Sequence, residues 1–229
     1  MKEKQSPSKR KKQTLSQQRQ DTRKRLRYLR IGAAVIGLFL VLGYFLWPQP
    51  KALAVSQERL SDDPFIGSIN APVTIVEYGD FGCPSCRAWH NAGIIDRVIA
   101  KYGDQVRFVW RDFPIITAFS PEAAQAAQCA YDQNKFWESH DLLFEGDASF
   151  RDELLKGYAV ELGLDSAAFN QCLDTRQHQA KVEKDLEDAF QRRFCGTPSF
   201  LVNDQPLLAG PPSFDQLQGL IEPILLNNN

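Results

Sequence analysis

Two cysteines three residues apart, in the run Phe81-Gly82-Cys83-Pro84-Ser85-Cys86, are the residues of this chain best equipped for chemistry. A Cys-x-x-Cys pair at the point where a strand turns into a helix sets its first sulfur over the unpaired N–H groups of the helix N-terminus. Those donors and the helix dipole favour a thiolate and lower its pKa. Cys83 is then the nucleophile, and Cys86, one turn further in, is the buried partner that resolves a mixed disulfide. Half of a zinc site is the competing reading, but zinc needs a second ligand pair of suitable spacing. Cys129, Cys172 and Cys195 are scattered singly, so no metal is expected. No cofactor is expected either, because a dithiol carries both electrons on its own sulfurs.

The elements that must position this pair are legible around it. The short apolar run Val73 to Val76, preceded by Ala71-Pro72 and ended by Gly79, predicts a buried strand. Helical spacing through Trp89, Ile94, Ile95, Val98 and Ile99 predicts a helix over 86–101, stopped by Gly103, and Val106 to Trp110 predicts a second strand. Strand, helix, strand is the start of a parallel α/β sheet. From 121 to 193 the chain becomes Ala-rich and Gln-rich and reads as successive helices broken near Gly146, Gly163 and Asp174. Strand character returns at Ser199 to Val202. Asn203-Asp204 makes a turn into Leu207 to Ala209, and an amphipathic helix from Phe214 to Leu226 starts at Ser213.

Composition bounds the rest. The 229 residues are 43% hydrophobic and 24% charged, which is globular, and the net charge is only −1. Residues 1–30 nevertheless hold twelve Lys/Arg against Glu3 and Asp21, a charge of +10, leaving fifteen basic and twenty-six acidic residues, −11, in 31–229. A folded part so acidic has no basic face for phosphates, which argues against nucleic-acid binding. Ile31 to Trp47 is seventeen residues without a charge, about 25 Å as a helix, the short end of what spans a bilayer core. With Tyr44 and Trp47 at its far end it reads as one N-terminal transmembrane anchor. The rival is a cleaved signal peptide ending at Ala52-Leu53-Ala54. The layout is a basic cytoplasmic tail (1–30), an anchor (31–47), a linker (48–63) and a domain outside the cytoplasm (64–229).

The stretches VEYGDFGCPSC, FVWRDFP, CAYDQNKFWESHDLLF and FCGTPSFLVN, in this order, resemble the DsbA-type branch of the thioredoxin superfamily. The resemblance covers about 63–226 and implies a thioredoxin-like α/β fold with an inserted helical domain. It implies that Pro198 is a cis-proline facing the dithiol, that Thr197 offers its backbone to an extended substrate beside Pro84 and Ser85, and that Glu77, in the strand beneath the motif, moves protons to and from Cys86. Proline at the head of a strand agrees with Pro198 in that place. For Glu77 an exposed strand carboxylate is the plainer alternative, and Asp80 is a possible helix cap. His90 reads as structural or solvent-facing, and His140 and His178 have no partner readable from sequence. The absence of histidine between the cysteines predicts a weaker Cys83 thiolate than in strongly oxidising relatives.

In an oxidising compartment five cysteines point to two bridges and one remainder. Cys129 lies on the helical pattern Ala123, Ala126, Ala127, Ala130, and Cys172 lies between Phe169 and Leu173. Some DsbA-like proteins carry an extra bridge in the insertion, so a Cys129–Cys172 disulfide is expected, with Cys195 as the rival partner. Function follows as disulfide exchange with exported cysteine-containing polypeptides at a bacterial inner membrane. The pair would act as an oxidant recharged by a quinone-linked oxidase, or as a reductase or isomerase fed by a membrane thiol reductant. A non-catalytic anchored holdase is the reading from another class.

Overall fold

The computed structural model describes residues 62–207 and 210–227, all within one compact unit, Ala52–Asn229. Strand β1 (Phe65–Gly67) precedes β2 (Val73–Gly79), helices α1 (Pro84–Asn91) and α2 (Ile94–Tyr102), a 3-10 turn (Gly103–Gln105) and β3 (Val106–Asp112). Helices α3 (Ser120–Tyr131), α4 (Phe136–Glu145), α5 (Asp152–Glu161), α6 (Ser166–Asp174) and α7 (Gln179–Gln191) follow. The chain then returns to β4 (Ser199–Val202), β5 (Gln205–Leu207) and α8 (Phe214–Asn227). The strands form one sheet in the order β1-β3-β2-β4-β5, with β2 and β3 parallel and every other neighbouring pair antiparallel. This is a thioredoxin-like fold with a helical insertion between β3 and β4.

Period-two alternation sorts the sheet's side chains. Val73, Ile75, Val106 and Phe108 pack with Trp89, Ile95 and Val98 of α1 and α2 and with Leu217 and Ile221 of α8. Val76, Tyr78 and Val109 take the other face with Ala189 and Phe194. Glu77 belongs by the same alternation to the α1 face, in register with Trp110 on one side and Phe200 on the other. A third cluster joins the alanines of α3 and the aromatics of α4 to Phe81, Cys83, Cys86 and Trp110. The insertion's core is therefore continuous with the motif, and its burial energy holds the motif in place.

Several features differ from the sequence expectation. The strand expected over Leu207 to Ala209 is β5, Gln205–Leu207, and 208–209 lie outside the described residues. The helix expected over 86–101 is two helices, because Gly93 adopts φ +60°, a left-handed conformation that ends one helix and starts the next. Strand β1 was not expected: three residues show no alternation, and only pairing with β3 makes them a strand. The linker expected over 48–63 does not reach 63, because Asp63 is buried and pairs with Arg111 (2.8 Å) and Lys181 (2.9 Å). Arg111 also pairs with Asp188 at 2.8 Å, so this buried cation has the partners without which burial costs several kcal/mol. Among the described residues no helix is long and apolar enough to cross a membrane. The basic tail, the anchor and most of the linker lie outside the described residues.

Candidate active site

β2 runs straight into the motif. A side chain at Gly79 would meet the Trp110 ring at 2.2 Å, so only glycine lets the indole lie beneath the loop. Phe81 then stacks on Trp110, ring centroids 4.9 Å apart. Asp80 is buried, and its carboxylate accepts the N–H groups of Gly82 (2.7 Å), Ile115 (2.8 Å) and Ile116 (2.7 Å). It therefore does not cap α1 but fastens the motif loop to the segment after β3. Cys83 itself is the N-cap, with extended backbone (φ −86°, ψ 119°) and Pro84 opening the helix. Proline fits there because it has no N–H to leave unpaired.

Cys83 is 4% exposed and Cys86 fully buried. As a thiol, Cys83 Sγ donates to the Thr197 carbonyl at 3.2 Å, and the Thr197–Pro198 bond is cis. A hydrogen bond from the Cys86 thiol, acting against the cost of burial, is the main force bringing the Cys83 pKa down to about 5; Thr197 and the N–H groups of Cys86 and Ser85 add to it. The Thr197 hydroxyl is buried without another partner, so it is free to turn to the thiolate once there is no S–H to give the carbonyl. Burial raises the Cys86 thiol far above its usual range, helped by its bond to Cys83 and by the charge of Glu77. Burial, then the negative charge of Cys83, holds Glu77 well above the usual carboxylate range. The structure thus gathers Cys83, Cys86, Thr197 and Pro198, couples Glu77 to both cysteines, and leaves Pro84 and Ser85 exposed beside them.

The remaining expected residues lie elsewhere. Cys129 and Cys172 form a disulfide with Cα atoms 5.9 Å apart, joining α3 to α6, while Cys195 is exposed as a free thiol. His178 pairs with Asp132 at 2.8 Å. His140 of α4 is buried against Phe81 and Trp110, its Nδ1 3.0 Å from Asp141, and His90 of α1 stands beside it. Sequence reasoning missed three contributors. Asp80 carried no signal of its loop-fastening role. Asp112, which accepts the Trp110 indole N–H at 2.9 Å and the Gln128 amide at 2.6 Å, fixes the ring beneath the motif. The Thr197 hydroxyl was not distinguished from its backbone.

A stabilised thiolate beside a buried thiol and a protonatable carboxyl moves two electrons. When the pair is a disulfide, a substrate thiolate can attack Cys83 Sγ, so that the Cys83–Cys86 bond breaks and Cys86 leaves and takes a proton; Glu77 is electrostatically coupled to that sulfur. A second substrate thiolate then forms the substrate disulfide and expels Cys83 as thiolate. Run backward, the same steps reduce a substrate. Such a site on this fold has the groups that thiol:disulfide exchange requires.

Comparison with known proteins agrees. The family model described as Thioredoxin matches residues 59–223. BdbD from Bacillus subtilis superposes with a TM-score of 0.65 at 26% identity, covering 73% of this chain and 95% of that one. A thioredoxin-like oxidoreductase from Silicibacter pomeroyi gives 0.64 at 27%, covering 78% and 98%. The alpha-DsbA1 of Wolbachia pipientis shares the fold at 20% identity with a TM-score of 0.63, covering 82% and 99%. The chain belongs to the thioredoxin family. A Na(+)/H(+) antiporter NhaA 1 of Salinispora arenicola is 38% identical over 139 residues, 60% of this chain and 21% of that protein. The chain spans about a fifth to a quarter of the length of the curated relatives it matches.

Proposed function

We propose that this protein is a membrane-tethered thiol oxidant that passes its Cys83–Cys86 disulfide to exported cysteine-containing polypeptides. The observation that carries the direction is the Cys83 thiolate, with a pKa of about 5. A reduced form stabilised in this way makes the disulfide a better electron acceptor. With no histidine between the cysteines, the Cys86 thiol, two backbone N–H groups and Thr197 are what bring the Cys83 pKa down. The cis-Pro198 loop and exposed Pro84-Ser85 leave an extended peptide room beside Cys83. Tethering at a bacterial inner membrane, with the domain on the outer side, rests on the uncharged Ile31–Trp47 run next to the +10 tail. The occurrence of a matching region within longer chains named as antiporters supports a membrane setting. A quinone-linked oxidase in the same membrane would recharge the pair.

Trapping thiols in intact cells tests the direction. Cys83 and Cys86 held mainly as a disulfide support the oxidant; a mainly reduced pair overturns it in favour of the reductase or isomerase. Membrane extraction tests the tether: an integral protein supports it, and a mature N-terminus at Val55 contradicts it.

A further inference from the structure

One turn beyond Cys86 on α1, His90 meets His140 and Asp141 of α4. A single carboxylate oxygen, Asp141 Oδ1, lies 3.0 Å from His140 Nδ1 and 3.8 Å from His90 Nε2. The ligand-type atoms of the three residues all fall within 4.8 Å of one another. The imidazole centroids stand 5.1 Å apart at 76°, and two nitrogens and one oxygen, carried by two helices fifty residues apart in sequence, lie close together.

We propose that His90, His140 and Asp141 form a binding site for a divalent transition-metal cation, Zn(II) foremost, separate from the redox pair. Two imidazoles and a carboxylate are a ligand set that zinc takes with one position left for water. Calcium and magnesium, which seek six or more oxygens, are a poor match. His140 is fixed by aromatic rings, with Trp110 and Phe144 edge-on to it at centroid distances of 4.9 Å. Such an apolar shell limits solvent at a metal site and orients the ligand. The other two ligands reach water, with side-chain exposures of 21% for His90 and 54% for Asp141. A cation can arrive without opening the core. Metal–ligand bonds of about 2.0–2.2 Å require the three atoms to draw closer, a movement that His90 and Asp141 can make at the surface. A bound ion would clip the active-site helix to the helical insertion, next to Cys86.

The experiment uses the full-length, untagged Cys195→Ser chain in detergent, in its disulfide form, so that neither Cys83 nor Cys86 is available as a ligand. Titration with Co(II) should give a visible ligand-field band at one equivalent, bleached by Zn(II), and Zn(II) should raise the melting temperature. Asp141→Ala and His90→Gln should each weaken binding at least about a hundredfold, a direct ligand mattering no less than its outer partners do. His178→Ala, which removes the exposed pair with Asp132, should leave binding unchanged. No band in the folded parent overturns the proposal, as does binding that survives Asp141→Ala and His90→Gln. Asp141 is the decisive position, because its exposed side chain can be removed without disturbing the core.

Discussion

Replacing Cys86 with alanine should weaken the acidity of Cys83 by a calculable amount. The Cys86 thiol is the largest single cause of the low Cys83 pKa of about 5. A hydrogen bond to a charged group contributes about 1.5–3 kcal/mol, and one pKa unit corresponds to about 1.4 kcal/mol. Losing that donor should raise the midpoint by roughly one to two units, to about 6–7. At pH 5.5 the ionised fraction should fall from about three-quarters to between roughly a quarter and 3%. The assay is the rate of iodoacetamide alkylation against pH, read by mass spectrometry in a reduced Cys195→Ser background, where buried Cys86 does not compete. A Cys86→Ala midpoint still near 5 would refute the role given to Cys86, and a parent midpoint near 8.5 would refute the stabilised thiolate itself. Stability should follow. The folded Cys83 pKa lies below its unfolded value of about 8.5, so its stabilisation is complete above that pH and is lost as pH falls through about 5. The melting temperature of the reduced protein relative to the disulfide form should decline across that window and level off below it.

Glu77→Gln should slow resolution of a Cys83 mixed disulfide by roughly a hundredfold, the usual scale of general acid–base help, while Cys83 alkylation changes little. Equal losses in both rates would show a structural defect instead. Cys129→Ser with Cys172→Ser opens a bridge between residues 43 apart, worth up to about 4 kcal/mol in the chain-entropy model. Urea unfolding should show much of that loss, with disulfide exchange retained; an unchanged midpoint would contradict it. Asp80→Ala strands the three amides it accepts at about 1 kcal/mol or more each, so the melting temperature should drop by roughly 10 °C. A shift within 2 °C would mean that water replaces the carboxylate.

The parts of the site legible in sequence are those carried by short segments. Cys83-Pro84-Ser85-Cys86 after an apolar run is a strand-to-helix turn by local rules alone, and Thr197-Pro198 could only head a strand. Ser213 starts α8 as expected: its hydroxyl accepts the Gln216 N–H, while the Gln216 side chain accepts the Ser213 N–H. Asn203 and Asp204 both take positive φ in the turn between β4 and β5. What stayed hidden depends on partners far along the chain. Strand β1 exists because β3 offers it an edge, and Arg111 can be buried because Asp63 and Asp188 arrive from either side. The break after α3, where Asn134 takes φ +58°, sits in Asp-Gln-Asn-Lys, which lacks a glycine such as those that flagged the breaks near Gly146 and Gly163. His90 and His140 are ordinary helix residues until the fold sets α1 against α4.

The central claim is that Cys83 exchanges disulfides with other proteins and that Cys86 alone completes the exchange, and capture of the intermediate tests it most directly. Full-length Cys86→Ser protein, expressed in a bacterial host and run on non-reducing gels, should carry covalent adducts that reductant releases. Peptide mapping should place every linkage at Cys83, and Cys83→Ser introduced alongside should abolish the adducts. An absence of adducts from Cys86→Ser protein whose Cys83 still reacts with iodoacetamide would contradict the account.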